Sequence, residues 1–194
     1  MRRITIVGAG LAGSLLASHL ARAGHQVVAL ESRPDLRSTD IAAGRSINLA
    51  LAQRGISALE EIGIMNQVRP LLIPMKGRMV HDGNNEPTFQ QYGNRPDEVI
   101  YSVSRSELNA VLLDSAEDSG AELRFSQRCL GGSLEERILT VQDDVAERQY
   151  AEEFDVVFGT DGVSSPVRDM LVESGTTSVN VEMLDHGYRE IALP

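Results

Sequence analysis

Apolar positions along the chain follow two periods, and the change from one to the other marks the elements. Ile4, Thr5, Ile6 and Val7 form a short, near-continuous apolar run of the kind a buried strand needs. Glycines dominate residues 8–13. Between residues 11 and 23 the apolar positions then fall at helical spacing, with Leu15, Leu16, His19, Leu20 and Ala23 on the face predicted to turn inward. Gly24 stands where a helix stops. Residues 26–30 are a second apolar run that ends at Glu31. Strand, helix and strand in this order make a β-α-β unit, and a crossover helix requires its two strands to run parallel.

Residues 32–44 are polar, carry Pro34 and read as a loop. Residues 45–51 fit either an extended segment or a helix start. A helix is predicted over 53–62, with Ile56, Leu59 and Ile62 on one face and Gly63 as its stop. Residues 76–81 read as a strand, and Asp82-Gly83-Asn84-Asn85 has the chemistry of a turn into a hairpin partner at 88–92. A strand follows at 99–103. The helix at 104–119 is well signalled: Ser104 can cap it, Glu107 completes a capping-box pattern, and Gly120 ends it. Its predicted buried face is Leu108, Val111, Leu112, Ser115 and Ala116. Then come a strand at 121–126, a polar-faced hairpin at 137–142 and 148–153, and a buried strand at 155–159. Ser164 or Ser165 caps a short helix with Pro166 in its first turn. An extended segment starts at 187, and its Ile191 and Leu193 call for partners that a chain ending at Pro194 hardly provides; this reads as the N-terminal portion of a longer polypeptide. The order of elements predicts an α/β fold around a parallel central sheet.

Composition narrows the function. A chain of 194 residues can bury one good core. Its net charge of −10 repels a phosphate backbone, which excludes nucleic acid as a natural partner. A phosphate-bearing cofactor stays open, because helix N-termini and loop amides bind such groups locally. Cys129 is the single cysteine, so there is no internal disulfide and no metal site built from cysteine pairs, and a reducing cytoplasmic setting is expected. No secretory pattern precedes the first strand, and no apolar run is long enough for a bilayer span. His19, His25, His81 and His186 are scattered without metal-ligand spacing, so no metal is expected.

Gly8-Ala9-Gly10-Leu11-Ala12-Gly13 fits the pattern GxGxxG, and it has the required setting: a strand before it and a helix opening on it. Gly8 permits the tight turn, Gly10 admits a pyrophosphate close to the backbone, and Gly13 lets helix and strand pack closely. Glu31 stands eighteen residues past Gly13, near the ~20 expected of the acidic residue that accepts hydrogen bonds from a ribose diol. It would repel a 2′-phosphate, so the tightly held nucleotide is FAD or NAD rather than NADP. Arg33 beside it suits adenine stacking or a phosphate contact. A ligand-free glycine turn with a merely solvated Glu31 is the plain alternative.

Residues 154–162, with Asp161-Gly162, and Ser165-Pro166-Val167-Arg168 after them, resemble the "DG" fingerprint of the single-component flavoprotein hydroxylases. Gly44-Arg45-Ser46-Ile47-Asn48-Leu49-Ala50-Leu51, with Arg54-Gly55 following, is similar to the signature of the kynurenine 3-monooxygenase family within that group. Lys76 to His81, Gln91-Tyr92-Gly93, Ser102 to Arg105, Leu108-Asn109 and His186 to Glu190 extend the likeness over essentially the whole chain. The resemblance implies a Rossmann-like FAD-binding domain of the p-hydroxybenzoate-hydroxylase type over 1–75 and 100–175. Residues 76–99 and 176–194 would then be portions of a substrate-binding sheet. It also implies hydroxylation of L-kynurenine to 3-hydroxykynurenine, with FAD bound, NADPH or NADH as transient reductant, and O2.

Residue by residue, the resemblance assigns Arg78 to the kynurenine carboxylate, which a guanidinium can grip through two hydrogen bonds, and Tyr92 to the same group. Read without it, Arg78 is a solvated arginine and Tyr92 a half-buried strand residue. Arg105, Ala12, Leu30, Glu31, Ser32, Arg33, Ala50 and Cys129 match FAD contacts, several through backbone atoms; Cys129 stands where the family has leucine. Asp161 would hold loop geometry and Gly162 a tight backbone at the flavin. No side chain is expected to act as acid or base. The family's second FAD motif and further substrate residues fall beyond residue 194, so these residues alone are expected to hydroxylate poorly and to bind FAD weakly. The rival readings are a flavin hydroxylase of another aromatic acid, a flavin reductase of isoprenoid chains, an NAD-dependent dehydrogenase, and a non-catalytic nucleotide-binding module. Oligomeric state is left open, a homodimer included.

Overall fold

A computed structural model of the chain describes residues 1–38, 48–81, 83, 85–95 and 98–187. Gly44 to Ile47 of the signature string, Asp82 and Asn84 of the predicted turn, and the extended segment from Tyr188 onward lie outside the described residues. The chain begins with β1 (Arg3–Val7), α1 (Leu11–Arg22), β2 (Gln26–Leu30), β3 (Asn48–Leu51), α2 (Gln53–Glu61) and α3 (Met65–Val68). After a 3-10 turn at Arg69–Leu71 come β4 (Ile73–Met75), β5 (Gly77–Val80), β6 (Thr88–Gln91), β7 (Ile100–Ser104) and α4 (Arg105–Asp118). The last elements are β8 (Glu122–Arg124), β9 (Gln127–Ser133), β10 (Ile138–Asp143), β11 (Arg148–Glu153), β12 (Val156–Gly159) and α5 (Pro166–Glu173).

The expected parallel sheet is present. Its strand order is β12-β1-β2-β8, every pair is parallel, and Ile4 lies opposite Val27 on one side and Val156 on the other. Both faces are covered, which is why β1 and β2 read as continuous apolar runs. Ile4, Ile6, Val27 and Ala29 pack with Ala17 of α1 and Leu113 and Ala116 of α4. Val7, Val28 and Leu30 pack with Cys129, Leu139 and Val141 of the antiparallel meander β9–β10–β11, and with Val167 and Met170 of α5. A third cluster joins Leu59, Ile62, Met65, Val68 and Val103 to Leu108 and Leu112 of α4. Two further sheets are antiparallel: β3-β7-β4, and the hairpin β5-β6.

The inward face of α1 differs from expectation. Its buried residues are Gly13, Ser14, Ala17 and Ser18; Leu15, Leu16 and Leu20 are only partly covered, and His19 is exposed. The helix lies between the sheet and α4, and small residues occupy the lines of closest approach. Helix α4 buries the predicted Leu108, Leu112, Ser115 and Ala116, and also Asn109 and Leu113, because it meets α1 as well as the third cluster. Three elements escaped the pattern. Strand β9 contains Gly131 and Gly132, and a register shift between Thr140 and Val141 of β10 interrupts its pairing; glycines and an irregular ladder hide a strand from periodicity. Helix α3 and strand β4 are shorter than one period can show, and Pro74 is tolerated because β4 is an edge. The strand expected at 121–126 is the shorter β8.

Candidate functional site: the glycine loop and its surroundings

Strand β1 ends between two neighbours, the end of β2 and the residue just past β12. Gly8 donates its N–H to the Leu30 carbonyl at 2.7 Å, and Thr160, just past β12, donates its own N–H to the Val7 carbonyl at 2.8 Å. The Thr160 hydroxyl is shared between the Gly8 carbonyl, at 2.7 Å, and the Val7 carbonyl, at 3.0 Å. Gly8 must be glycine on two counts: its φ is +96°, and a Cβ there would lie 2.6 Å from the Thr160 carbonyl oxygen. At Gly13 a Cβ would collide with the Gly8 carbonyl, so helix and strand meet as closely as the spacing predicted. Gly10 is different. It is the N-cap of α1, and a Cβ there would meet nothing within 4 Å. No side chain caps α1 and no acidic residue sits in its first turn, so the amides of Leu11, Ala12 and Gly13 face an open approach with the positive end of the helix dipole. These features fit the pyrophosphate of a dinucleotide.

Glu31 closes the same loop from β2. The carboxylate is buried, with one oxygen accepting the Ala9 N–H at 2.9 Å. Its other oxygen accepts the Arg33 N–H at 3.0 Å, the Arg33 Nε–H at 2.8 Å and, more distantly, the Ser32 hydroxyl at 3.4 Å. Burial pushes the carboxyl up, but the Arg33 side chain and amide and the Ala9 amide outweigh it and hold the group below its ordinary value. The carboxylate is therefore ionised and aimed, while the paired Arg33 guanidinium stays largely exposed.

On the far side of the loop, Asp161 accepts the Ser165 hydroxyl and the Val167 N–H. The Ser165 hydroxyl accepts the Arg168 N–H at 3.0 Å and caps α5. Gly162, with φ of +84°, faces open space. Cys129 is buried in the meander, where its thiol lies within the core cluster of Val7 and Leu30; desolvation raises its pKa. Any contact at this position would come from the backbone. Ala12 and Ala50 are exposed, Ala50 lying opposite Ser102 in the β3–β7 pair. Arg105, the first residue of α4, is exposed, and its guanidinium makes no hydrogen bond or ion pair among the described residues.

Two residues that hold this loop were absent from the expected set. One is Thr160. The other is Asn109 of α4, whose side-chain N–H donates to the Ala9 carbonyl at 3.3 Å. The signal for Asn109 was a polar residue on a helix face that carries apolar neighbours at 108 and 112. For Thr160 it was a hydroxyl directly before Asp161.

Arg78 and Tyr92 lie on the separate β5-β6 sheet. Gly77 pairs with Gln91 and Arg78 with Gln90, and the Tyr92 N–H extends the ladder to the Lys76 carbonyl at 3.0 Å. Residues directly opposite each other in a ladder share a face, so Arg78, Gln90, Lys76 and Tyr92 lie on one side of the hairpin. Both side chains are exposed, and Arg78 donates its Nε–H to the Gln90 side chain at 2.9 Å. An open groove of about 750 Å3 between α2, α3 and β7 contains none of the expected residues.

The fold and this loop define a dinucleotide-binding protein of the flavoprotein kind. Residues 2–187 match the family described as FAD binding domain, and the chain belongs to that family. Its relatives are more particular. The chain is 43% identical over 192 residues to the kynurenine 3-monooxygenase of Myxococcus xanthus, covering 98% of this chain and 41% of that protein. It is 40% identical over 197 residues to the kynurenine 3-monooxygenase of Legionella pneumophila, covering 100% of this chain and 43% of that protein. The chain thus spans about two fifths of the length of these relatives. Among solved structures it is similar to the flavin-dependent monooxygenase PieE in complex with FAD and substrate, with a TM-score of 0.75 at 21% identity, over 88% of this chain and 32% of that one. It is also similar to 2-methyl-3-hydroxypyridine-5-carboxylic acid oxygenase in its tetrameric form, with a TM-score of 0.71 at 23% identity, over 88% of this chain and 42% of that one. These two likenesses establish the fold. No helix among the described residues is long and apolar enough to cross a membrane.

Proposed function

We propose that this chain is the FAD-binding portion of a monooxygenase that hydroxylates L-kynurenine to 3-hydroxykynurenine. The observation that carries the reading is the meeting at Ala9 of an uncapped helix N-terminus and an aimed carboxylate, in a chain similar along its whole length to kynurenine 3-monooxygenases. FAD, when bound, supplies the redox chemistry: it accepts a hydride from NADPH or NADH and activates O2 for insertion into the aromatic ring ortho to the amino group.

The protein's residues bind and orient. Amides of the loop from Gly10 to Gly13 hold the pyrophosphate, with the Arg105 guanidinium alongside. Glu31 accepts from the ribose hydroxyls and Arg33 flanks the adenine. Leu30, Ser32, Ala50 and Cys129 contribute backbone contacts. Asp161 and Gly162 shape the turn that meets the flavin side. Arg78 grips the substrate carboxylate and Tyr92 donates to it, which places the ring; residues 76–99 and 176–194 belong on this reading to the substrate sheet. No side chain is assigned as acid or base. A cytoplasmic setting goes with the reading, and oligomeric state stays open, a homodimer included.

Titration of the full-length protein, of which this chain is the FAD-binding portion, with L-kynurenine tests it, with flavin reduction by NADPH and formation of 3-hydroxykynurenine followed together. Bound-flavin absorbance, kynurenine-stimulated reduction and hydroxylated product are expected. A colourless protein, or flavin reduction without hydroxylated product, would end the proposal.

A further inference from the structure

The polar side chains buried around the glycine loop are unevenly explained. Glu31, which is buried, and Thr160, which is half-buried, each directly follow a strand that ends at the loop. Asn109 comes from a helix whose sequence position is remote, yet it is 5% exposed and bonded on both ends of its amide. Its Nδ2 donates to the Ala9 carbonyl at 3.3 Å, and its Oδ1 accepts the Ser14 hydroxyl at 3.4 Å. That hydroxyl has a single hydrogen, shared with the closer Gly10 carbonyl at 2.7 Å. We infer that Asn109 is a positioning residue for pyrophosphate binding: it sets the orientation of the Ala9–Gly10 peptide and links that orientation to the place of Arg105. The inference rests on the FAD reading above and adds to it a residue that acts through the Ala9–Gly10 peptide.

Planarity of the peptide makes the first half of the case. In a trans peptide the C=O of one residue and the N–H of the next point in opposite directions. Holding the Ala9 carbonyl toward α4 therefore turns the Gly10 N–H away from α4. The Ala9 N–H is fixed independently by Glu31 at 2.9 Å. Ala9 is thus held at its amide from β2 and at its carbonyl from α4. A glycine-rich loop has little side-chain packing to hold it, so such bonds are its main source of a single conformation.

The second half is the way α4 lies on α1. Beside the apolar packing of Ala17 with Leu113 and Ala116, the contact carries hydrogen bonds between small polar groups. The Ser18 hydroxyl lies 2.9 Å from that of Ser115 and 3.1 Å from that of Ser119, and Arg22 donates to Ser119 at 3.0 Å. Hydrogen bonds are directional and fix one register of α4 along α1, where an apolar contact would tolerate sliding. Arg105 precedes Asn109 by four residues, one turn along the same face. A guanidinium on a helix registered against the loop is held at a set distance from the phosphates the loop binds.

FAD affinity of the full chain, read by quenching of flavin fluorescence between pH 5.5 and 8.5, tests this against a merely structural role. At Ala9 the charged side chains are Glu31, just past β2, and Arg33, which pairs with it; Asp161 lies on the far side of the loop beyond β12, and the first turn of α1 has no acidic residue. In Asn109→Asp the ionised carboxylate repels the Ala9 carbonyl, whereas the protonated acid donates to it again. Burial raises the pKa of such a carboxyl into the measured range. Affinity of Asn109→Asp is expected to be on the order of tenfold below wild type at pH 8.5 and to recover to within about twofold at pH 5.5. Asn109→Leu should be weak throughout, with no recovery. Ser14→Ala should lose about threefold, independent of pH. Melting of each variant without FAD shows whether it is folded. Folded Asn109 variants that bind FAD as wild type does at both ends of the range overturn the inference, as does an equal loss in Asn109→Asp and Asn109→Leu at every pH. If neither Asn109 variant folds, Ser14→Ala decides: a threefold loss supports the inference and an unchanged affinity overturns it. A wild-type protein that does not bind FAD at all removes the FAD reading, and this inference with it.

Discussion

The two ends of the candidate site are built in opposite ways. Around the glycine loop, Gly8, Ala9, Glu31, Asn109 and Thr160 are joined by hydrogen bonds of 2.7 to 3.3 Å, and Ala9, Glu31 and Asn109 are buried. On the β5-β6 hairpin the side chains stand in solvent: Met79 is 56%, Phe89 54% and Tyr92 43% exposed, and among the described residues the side-chain partner of Arg78 is Gln90. A backbone that must present amides to a phosphate has to be fixed before the ligand arrives, because each disordered amide would add ordering cost on binding. A side chain that takes a small substrate through its own terminal group needs only to be held at its Cα and left accessible. Damage at the loop should therefore appear first as lost stability, and damage at the hairpin as lost recognition.

The largest effect is expected at Gly13. Gly13→Val drives a side chain into the Gly8 carbonyl, and urea unfolding should show a loss of about 3 kcal/mol. Glu31→Ala comes next. It strips the Ala9 amide and Arg33 of a shared acceptor in a buried place and should cost about 2 kcal/mol by the same measurement, with FAD affinity down at least about tenfold. Glu31 also sets an acid limit. Its carboxyl is held below the ordinary 4.5, so its stabilisation is complete above that pH and disappears as the pH falls toward the lower folded value. Acid unfolding of Glu31→Gln followed by circular dichroism should accordingly be less steep below pH 4.5 than that of the wild type. Thr160→Val keeps the shape, loses the donor to Gly8 and Val7, and should cost about 1 kcal/mol. Arg78→Met should leave stability within about 0.5 kcal/mol of wild type. On the proposed function, the same change raises the dissociation constant of L-kynurenine about thirtyfold. A large stability loss in Arg78→Met, or none in Gly13→Val, would erase the contrast between the two regions.

Much of the loop was legible because its requirements are local. The run from Ile4 to Gly13 states a strand, a turn and a helix start in consecutive residues, and Glu31 follows at the distance one crossover imposes. The hairpin was legible for the same reason, since its strands are neighbours in sequence. Asn109 and Thr160 were not, because their partners Ala9 and Gly8 are about 100 and 150 residues away, and no local pattern records a bond over that separation. The inner face of α1 shows the same limit. Periodicity assigned Leu15, Leu16 and Leu20 to the interior, yet Ser14 and Ser18 are the residues enclosed there.

By itself, the sequence determined the order and direction of the elements, the glycine turn and the acidic residue that follows it, since each depends on backbone conformation and spacing over a few tens of residues. Only the tertiary structure decided which helix lies on α1, that Ser14 and Ser18 are the more deeply enclosed side chains there while Leu15, Leu16 and Leu20 are only partly covered, and that an asparagine from α4 reaches the Ala9 carbonyl. Those outcomes come from the packing of remote segments on a common sheet, where the free energy of a buried polar group depends on a partner that the local sequence does not specify.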